Sequence, residues 1–231
     1  MKKAIIQVNN LVKKYGDFEA VKGISFDVME GEIFGLLGPN GAGKTTTLEI
    51  IETLRKKTSG TIIVDGMDLD KEPQAIKNIM GVQLQAAGYY PNLNLKQIID
   101  LFAGLYNKTA DPMALLDMVN LREKAKSKFK ELSGGQKQRF SIATTLINEP
   151  KIIFLDEPTT GLDPQARRNL WELIKQLRDR GATVVLTTHY MDEAEQLCDR
   201  LVVMDHGTIV AEGSPRSLIE THSTREVLEL R

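Results

Sequence analysis

The sequence predicts an α/β domain built on a mostly parallel sheet, with an antiparallel β subdomain near its start and an α-helical insertion near its middle. Three observations lead there. A glycine-rich loop, Gly38 to Thr45, stands between the apolar run Ile33 to Leu37 and a helix-like segment beginning at Thr45. Two unbroken apolar runs, Ile152 to Leu155 and Thr183 to Thr187, have strand length and flank an amphipathic helix, as parallel strands covered on both faces do. Residues 86–130 carry helical patterning with no buried-strand run between the helices.

Taken along the chain, Ile5 to Val12, Gly23 to Val28 and Gly60 to Val64 read as short strands, with Asp65-Gly66 as a turn signal after the third. They form the β-rich region around the glycine loop. In the insertion, 95–106 and 112–119 read as helices. The helix between the two apolar runs places Leu170, Leu173, Ile174 and Leu177 at i, i+3, i+4 and i+7, with Pro164 near its start and Gly181 past its end. That β-helix-β order implies a right-handed crossover in the parallel sheet. Leu201 to Met204, Asp205-His206-Gly207 and Thr208 to Val210 read as a closing hairpin. The chain is expected to form one unit over residues 1–231: an α/β core over 1–85 and 131–222, the helical insertion over 86–130, and a tail over 223–231 whose end is either natural or a cut before a further domain.

Composition narrows the function classes. With 231 residues, 42% of them apolar and 26% charged, the chain can bury a full core. A net charge of −1 supplies no overall field for nucleic acid or an anionic membrane. The basic run Lys124, Lys126, Lys128, Lys130 is flanked by Glu123 and Glu131 and reads as a solvated face, so no nucleic-acid partner is expected. Cys198 is the only cysteine, which excludes a disulfide framework and a cysteine zinc site within the chain and suits a reducing cytosol. No run approaches the ~20 apolar residues of a membrane span, so any membrane work needs another polypeptide.

Two loops are directed at phosphate. Gly38-Pro39-Asn40-Gly41-Ala42-Gly43-Lys44-Thr45 fits a glycine, four residues, then Gly-Lys-Thr, in the strand, loop and helix context that pattern requires. Its glycines let backbone N–H groups turn around an anion, and the following helix adds its positive end. In that pattern Lys44 reaches the β- and γ-phosphates, the Thr45 hydroxyl is a ligand for Mg²⁺, and Thr46 meets the α-phosphate. The second loop, Leu132-Ser133-Gly134-Gly135-Gln136, offers a hydroxyl, free N–H groups and a helix N-terminus. Asp156 and Glu157 close a buried strand at the sheet edge where α/β proteins bind ligands. Asp156 can hold the metal's water shell, and Glu157 can polarise an attacking water.

The ordered set of the phosphate loop, Ser133 to Gln136 with its preceding leucine, Asp156-Glu157, Gly161-Leu162-Asp163 and His189 resembles the nucleotide-binding subunit of an ATP-binding cassette (ABC) transporter, from about Ile5 to Gly213. Thr188-His189-Tyr190-Met191-Asp192-Glu193-Ala194-Glu195 is similar to the ATPases of bacterial ABC-2 type exporters of drugs, lipids or ions. The resemblance implies a P-loop NTPase (RecA-like) core, ATP with Mg²⁺, and ATP hydrolysis. It further implies that Tyr15 stacks on adenine, that Gln85 joins the metal site to the helical subdomain with Gln83 as a rival, and that His189 contacts the γ-phosphate. His206 and His222, in a turn and a polar tail, receive no role.

In that family Ser133, Gly134, Gly135 and Gln136 face the γ-phosphate held by a second subunit, and Asp163 lies across the same interface. Two ATPase chains, expected to be copies of this one, would then bury two ATP molecules head to tail. A separate transmembrane permease subunit would hold the pair, otherwise cytoplasmic, on the inner face of the cell membrane, with the helical subdomain at the docking surface. The leading reading is an ATPase that powers export. The other is a soluble ABC ATPase: a repair type lacks its coiled-coil insertion here and a translation type its second cassette, whereas an assembly type stays open.

Overall fold

The computed structural model describes residues 3–83 and 88–222. The chain begins with a long hairpin, β1 (Ala4–Tyr15) and β2 (Phe18–Met29), joined by a two-residue turn at Gly16-Asp17. β3 (Ile33–Leu37) leads through the phosphate loop into α1 (Lys44–Ile51). β4 (Ser59–Val64) and β5 (Met67–Asp68) form a second hairpin about Asp65-Gly66, both at positive φ, as a tight two-residue turn requires. Then come α2 (Pro73–Asn78) and β6 (Met80–Val82). Helices α3 (Leu95–Leu105) and α4 (Pro112–Met118), followed by two short 3₁₀ turns, make up the helical insertion, and α5 (Gly134–Thr145) follows. The rest alternates: β7 (Ile152–Asp156), α6 (Pro164–Asp179), β8 (Thr183–Thr188), α7 (Met191–Leu197), β9 (Arg200–Asp205), β10 (Thr208–Gly213) and α8 (Pro215–His222). His222 therefore ends a helix and does not belong to a tail.

Two sheets result. The first is antiparallel, in the order β2-β1-β4-β5. The second runs β10-β9-β3-β8-β7-β6, with every pair parallel except β9 with β10. β7 and β8, consecutive and parallel, are bridged by α6, the arrangement expected from their apolar runs. Both strands are buried along their whole length.

Strand alternation divides the core. Phe34, Leu36, Phe154, Val185 and Val202 pack with Ile6, Phe26 and Ile62 of the antiparallel sheet and Leu48 of α1. Ile33, Leu37, Ile153, Leu155 and Leu186 face the other way, against Leu170 and Ile174 of α6 and Leu197 of α7. Phe140 and Ile142 of α5 belong to this second cluster together with Ile98 of α3 and Leu116 of α4, so the insertion's core is continuous with that of the sheet. A one-residue shift of register would turn every one of these side chains to the wrong face.

Candidate functional site

The site lies where β3, β8 and β7 end side by side. Register pairs Leu37 with Thr188 and Asp156 with Thr187, so the phosphate loop and the Asp156-Glu157 pair leave the sheet at the same edge. The loop is held from behind: the Gly38 amide donates to the Thr188 carbonyl at 3.3 Å, and the Gly207 amide to that of Ala42 at 3.1 Å. Glycine is required at two points. A Cβ on Gly38 would lie 2.2 Å from the Met204 carbonyl oxygen. Gly43 sits at φ 99°, and a Cβ there would lie 2.7 Å from the Ala20 carbonyl oxygen.

Lys44 is the first residue of α1 and is only 4% exposed. Its ammonium donates to the carbonyls of Gly38 at 2.8 Å and Pro39 at 3.0 Å and lies 4.0 Å from Glu157 Oε1. Burial lowers its pKa, opposed by the charges of Glu157 and Asp156. The Thr45 hydroxyl donates to Asp156 Oδ1 at 3.3 Å, and the Thr187 hydroxyl donates to the same oxygen. Burial raises the pKa of Asp156, against the pull of those two hydroxyls. A hydroxyl and a carboxylate side by side are hard oxygen donors and fit Mg²⁺. Among the described residues no cluster of three or more His, Cys, Asp or Glu could hold a metal ion by itself.

Glu157 follows β7 with φ 46°, a left-handed conformation uncommon outside glycine and frequent at functional sites. Its amide is held by the Thr187 hydroxyl at 3.0 Å, and the Thr160 hydroxyl donates to Oε2 at 3.1 Å. His189, directly after β8, brings Nδ1 to 3.2 Å from Glu157 Oε1, off the line of a hydrogen bond. A cavity of about 410 Å³ opens here, lined by Asn40, Gly41, Gly43, Lys44, Thr45, Thr46 and Glu157, and further out by Tyr15, Phe18 and Ala20. Tyr15 is capped by Lys13 Nζ at 4.7 Å and by the Arg55 guanidinium at 5.5 Å from the ring centroid. Phe18, 65% exposed, is its register partner across the hairpin turn. Phe18 carries no binding motif of its own, although the spacing Tyr15-Gly16-Asp17-Phe18 marks a hairpin with an aromatic on each arm.

The second loop stands apart. Ser133 caps α5: its Oγ accepts from the Gln136 amide at 3.3 Å, and Gln136 Oε1 accepts from the Ser133 amide at 3.0 Å. Asp163 caps α6, accepting from the amides of Gln165 and Ala166 at 3.0 and 2.9 Å. None of Ser133, Gly134, Gly135, Gln136 or Asp163 lines the nucleotide-sized cavity. The start of α5 instead lies against the start of α6: a Cβ on Gly135 would come within 2.9 Å of Ala166 Cβ, and one on Gly134 within 3.9 Å of Leu162 Cδ2. Gln85 falls outside the described residues. Its rival Gln83 is buried, with its side-chain oxygen unpaired among them.

A parallel sheet with a phosphate loop and paired acids at its strand ends defines a nucleotide-hydrolysing P-loop domain. The family profile described as ABC transporter matches residues 21–160, and the chain belongs to that family. It is 42% identical to the Nod factor export ATP-binding protein I of Burkholderia orbicola, an alignment spanning 100% of this chain and 77% of that protein. Against the protein of the same name from Rhizobium sp. (strain N33) the identity is 40%, over 100% and 77%. Among solved structures, an ATP-binding cassette of an ABC transporter in its ADP conformation superposes with a TM-score of 0.85 at 26% identity, over 95% of this chain and 96% of that one. A dimeric post-hydrolysis cassette bound to ADP and Pi gives 0.80 at 30%, over 91% and 99%. The chain is thus an ATP-binding, ATP-hydrolysing subunit that powers transport, and the relatives favour an export subunit over a soluble ABC ATPase.

Proposed function

We propose that this chain is one half of an ATP-closed, head-to-tail pair of identical subunits that drives export through a separate membrane permease. One observation carries the pairing: the start of α5, with Ser133 to Gln136, packs against the start of α6, which Asp163 caps, yet none of these five residues lines the cavity built by their own chain. A second copy can present that patch to the nucleotide. Ser133 and the N-terminus of α5 would then face the γ-phosphate from the partner, with Asp163 beside them. The dimeric relative bound to ADP and Pi supports such a pair.

Within each site, Tyr15 would stack on the adenine, and the loop amides, Lys44 and Thr46 would hold the phosphates. Mg²⁺ would be met by Thr45, Asp156 and Gln85; when bound it neutralises charge on the β- and γ-phosphate oxygens. Glu157, oriented through Thr160 and Thr187, would take a proton from the attacking water. His189 would approach the γ-phosphate from the end of β8. The outward direction comes from the relatives named for export. Among the described residues no helix is long and apolar enough to cross a membrane, so the permease is assigned to another polypeptide, with the ATPase on the cytoplasmic face of the membrane. Its docking surface is assigned to the helical insertion, where Leu105 and Tyr106 are exposed.

Glu157→Gln tests the pairing. It is expected to bind ATP, to hydrolyse it about 10²–10⁴-fold more slowly, and to elute as a dimer with ATP and Mg²⁺. A variant that stays monomeric under those conditions overturns the shared site. Recovery with the membrane protein encoded beside this chain supports the export role, and recovery with a soluble partner instead overturns it.

A further inference from the structure

Glu193 is a carboxylate in an unexpected place. It lies on the first turn of α7, four residues beyond His189, and is 1% exposed. Its Oε1 accepts two hydrogen bonds from separate parts of the chain: the Thr159 hydroxyl at 2.7 Å and the Trp171 indole Nε1 at 3.3 Å. Thr159, fully buried, lies two residues beyond Glu157 in the segment that ends at Asp163. Trp171 is on α6, which Asp163 caps. A single oxygen therefore joins the segment carrying Glu157 and Asp163, the helix that follows it, and the helix that follows His189.

A second set of contacts spans the same helices. Arg167 of α6 lies 3.6 Å from Asp192 of α7, and its guanidinium covers the Tyr190 ring at 5.1 Å. The Tyr190 ring in turn rests 4.0 Å from that of His189. Burying a carboxylate is expensive unless it is hydrogen-bonded, and solvation of a short acidic helix would have needed no such cost. A buried acid with donors from two other segments instead fixes their relative positions.

We infer that Glu193 is a positioning residue for ATP hydrolysis, locking the Glu157–Asp163 segment to the helix that follows His189 so that the two move as one body. The inference rests on the assignment of Glu157 and His189 to the reaction. A displacement of His189 would reach Asp163 through Glu193 and Thr159, and so reach the patch that meets the second subunit. Trp171, the only tryptophan in the chain, reports on the bridge directly.

The test compares Glu193→Ala, Glu193→Gln and Thr159→Val in the full chain, with rates counted per ATP-binding site so that a folding loss does not enter. Glu193→Ala and Thr159→Val are expected to lower kcat by roughly tenfold or more, within the ~100-fold that misplacing a reacting group can cost, with KM for ATP changed less than about twofold. Glu193→Gln keeps an oxygen acceptor and is expected to restore most of kcat. Wild-type Trp171 emission is expected to change on adding ATP and Mg²⁺, and Thr159→Val to abolish that change. A structural role alone would lower thermal stability and leave kcat per site and the emission response intact; that result overturns the inference, as does wild-type emission indifferent to ATP. Glu157→Gln separates the two levels. If it turns over ATP at the wild-type rate, the catalytic assignment falls, whereas a slow Glu157→Gln beside an unaffected Glu193→Ala overturns the bridge alone.

Discussion

Glu52, at the C-terminal end of α1, is 6% exposed and offers a thermodynamic test of the structure. Burial, then the charges of Asp156 and Glu49, push its carboxyl from 4.5 up to about 8. Below the unfolded value both states are protonated and the shift has no effect on stability. As pH rises from there toward the folded value, the unfolded chain ionises while the native one stays neutral, so stability falls by about 1.4 kcal/mol per pH unit, and above the folded value the loss levels off. Near pH 7 the accumulated loss is about 3 kcal/mol. Glu52→Gln cannot ionise, and its amide resembles the protonated acid. It is expected to match wild type to within about 1 kcal/mol near pH 5 and to exceed it by about 3 kcal/mol near pH 7 in urea unfolding. For a chain of this size that is a rise in Tm of about 6–12 °C near pH 7. ATP affinity is expected to hold, since the phosphate loop lies at the opposite end of α1. A stability difference that stays flat from about pH 5 to 8, or a Glu52→Gln less stable than wild type near pH 7, would refute the reasoning.

Two further predictions concern the nucleotide. Lys44→Ala removes the buried ammonium that now spans the Gly38 and Pro39 carbonyls, and calorimetry is expected to show ATP binding lost; unchanged affinity would mean the loop is misread. Phe18→Ala, at the cavity mouth opposite Tyr15, is expected to weaken ATP by roughly 1 kcal/mol, about fivefold in Kd, the scale of an aromatic contact. Equal weakening of triphosphate lacking a base would show that Phe18 acts on something other than the ring.

The legible parts of the fold are those where local chemistry and tertiary environment agree. The phosphate loop, the buried strands β7 and β8 and the amphipathic α6 each carry a pattern that survives folding unchanged. Short elements do not. β6 is three residues long and exists because it pairs with β7 and because Gly81 passes close to the Thr145 carbonyl, a contact absent from any local pattern. The first strand reads as ending near Val12, yet β1 continues to Tyr15. Its pairing shifts between Val8 and Leu11, where Asn10 takes a positive φ, and the shift breaks the alternation that marks a strand. In the site, Lys44, Asp156 and Glu157 stand out in the sequence because phosphate chemistry calls for those types in that order, and the structure brings them to one sheet edge. Glu193 does not stand out: an acid in the first turn of a helix ordinarily faces water, and only its meeting with Thr159 and Trp171, 34 and 22 residues away, explains its burial.

The same contacts bear on how the proposed dimer contact would be tied to hydrolysis. Ser133 and Asp163 each cap their own helix, so capping alone accounts for their residue types. It does not account for the packing of the two helix starts. Gly135 lets α5 begin against Ala166, which fixes the start of α5 to the start of α6, and Asp163 caps that same start. From Asp163 the chain runs back through Thr159 to Glu157, with Thr159 bound to Glu193 beyond His189. In the proposed shared site, a push on His189 or Glu157 from their own nucleotide would therefore move the patch assigned to the partner contact, and pressure from a partner would reach Glu157 by the same route. Coupling of this kind is reciprocal in free energy. Loosening the link at Thr159 should accordingly weaken the ATP-dependence of dimer formation as well as the rate of hydrolysis.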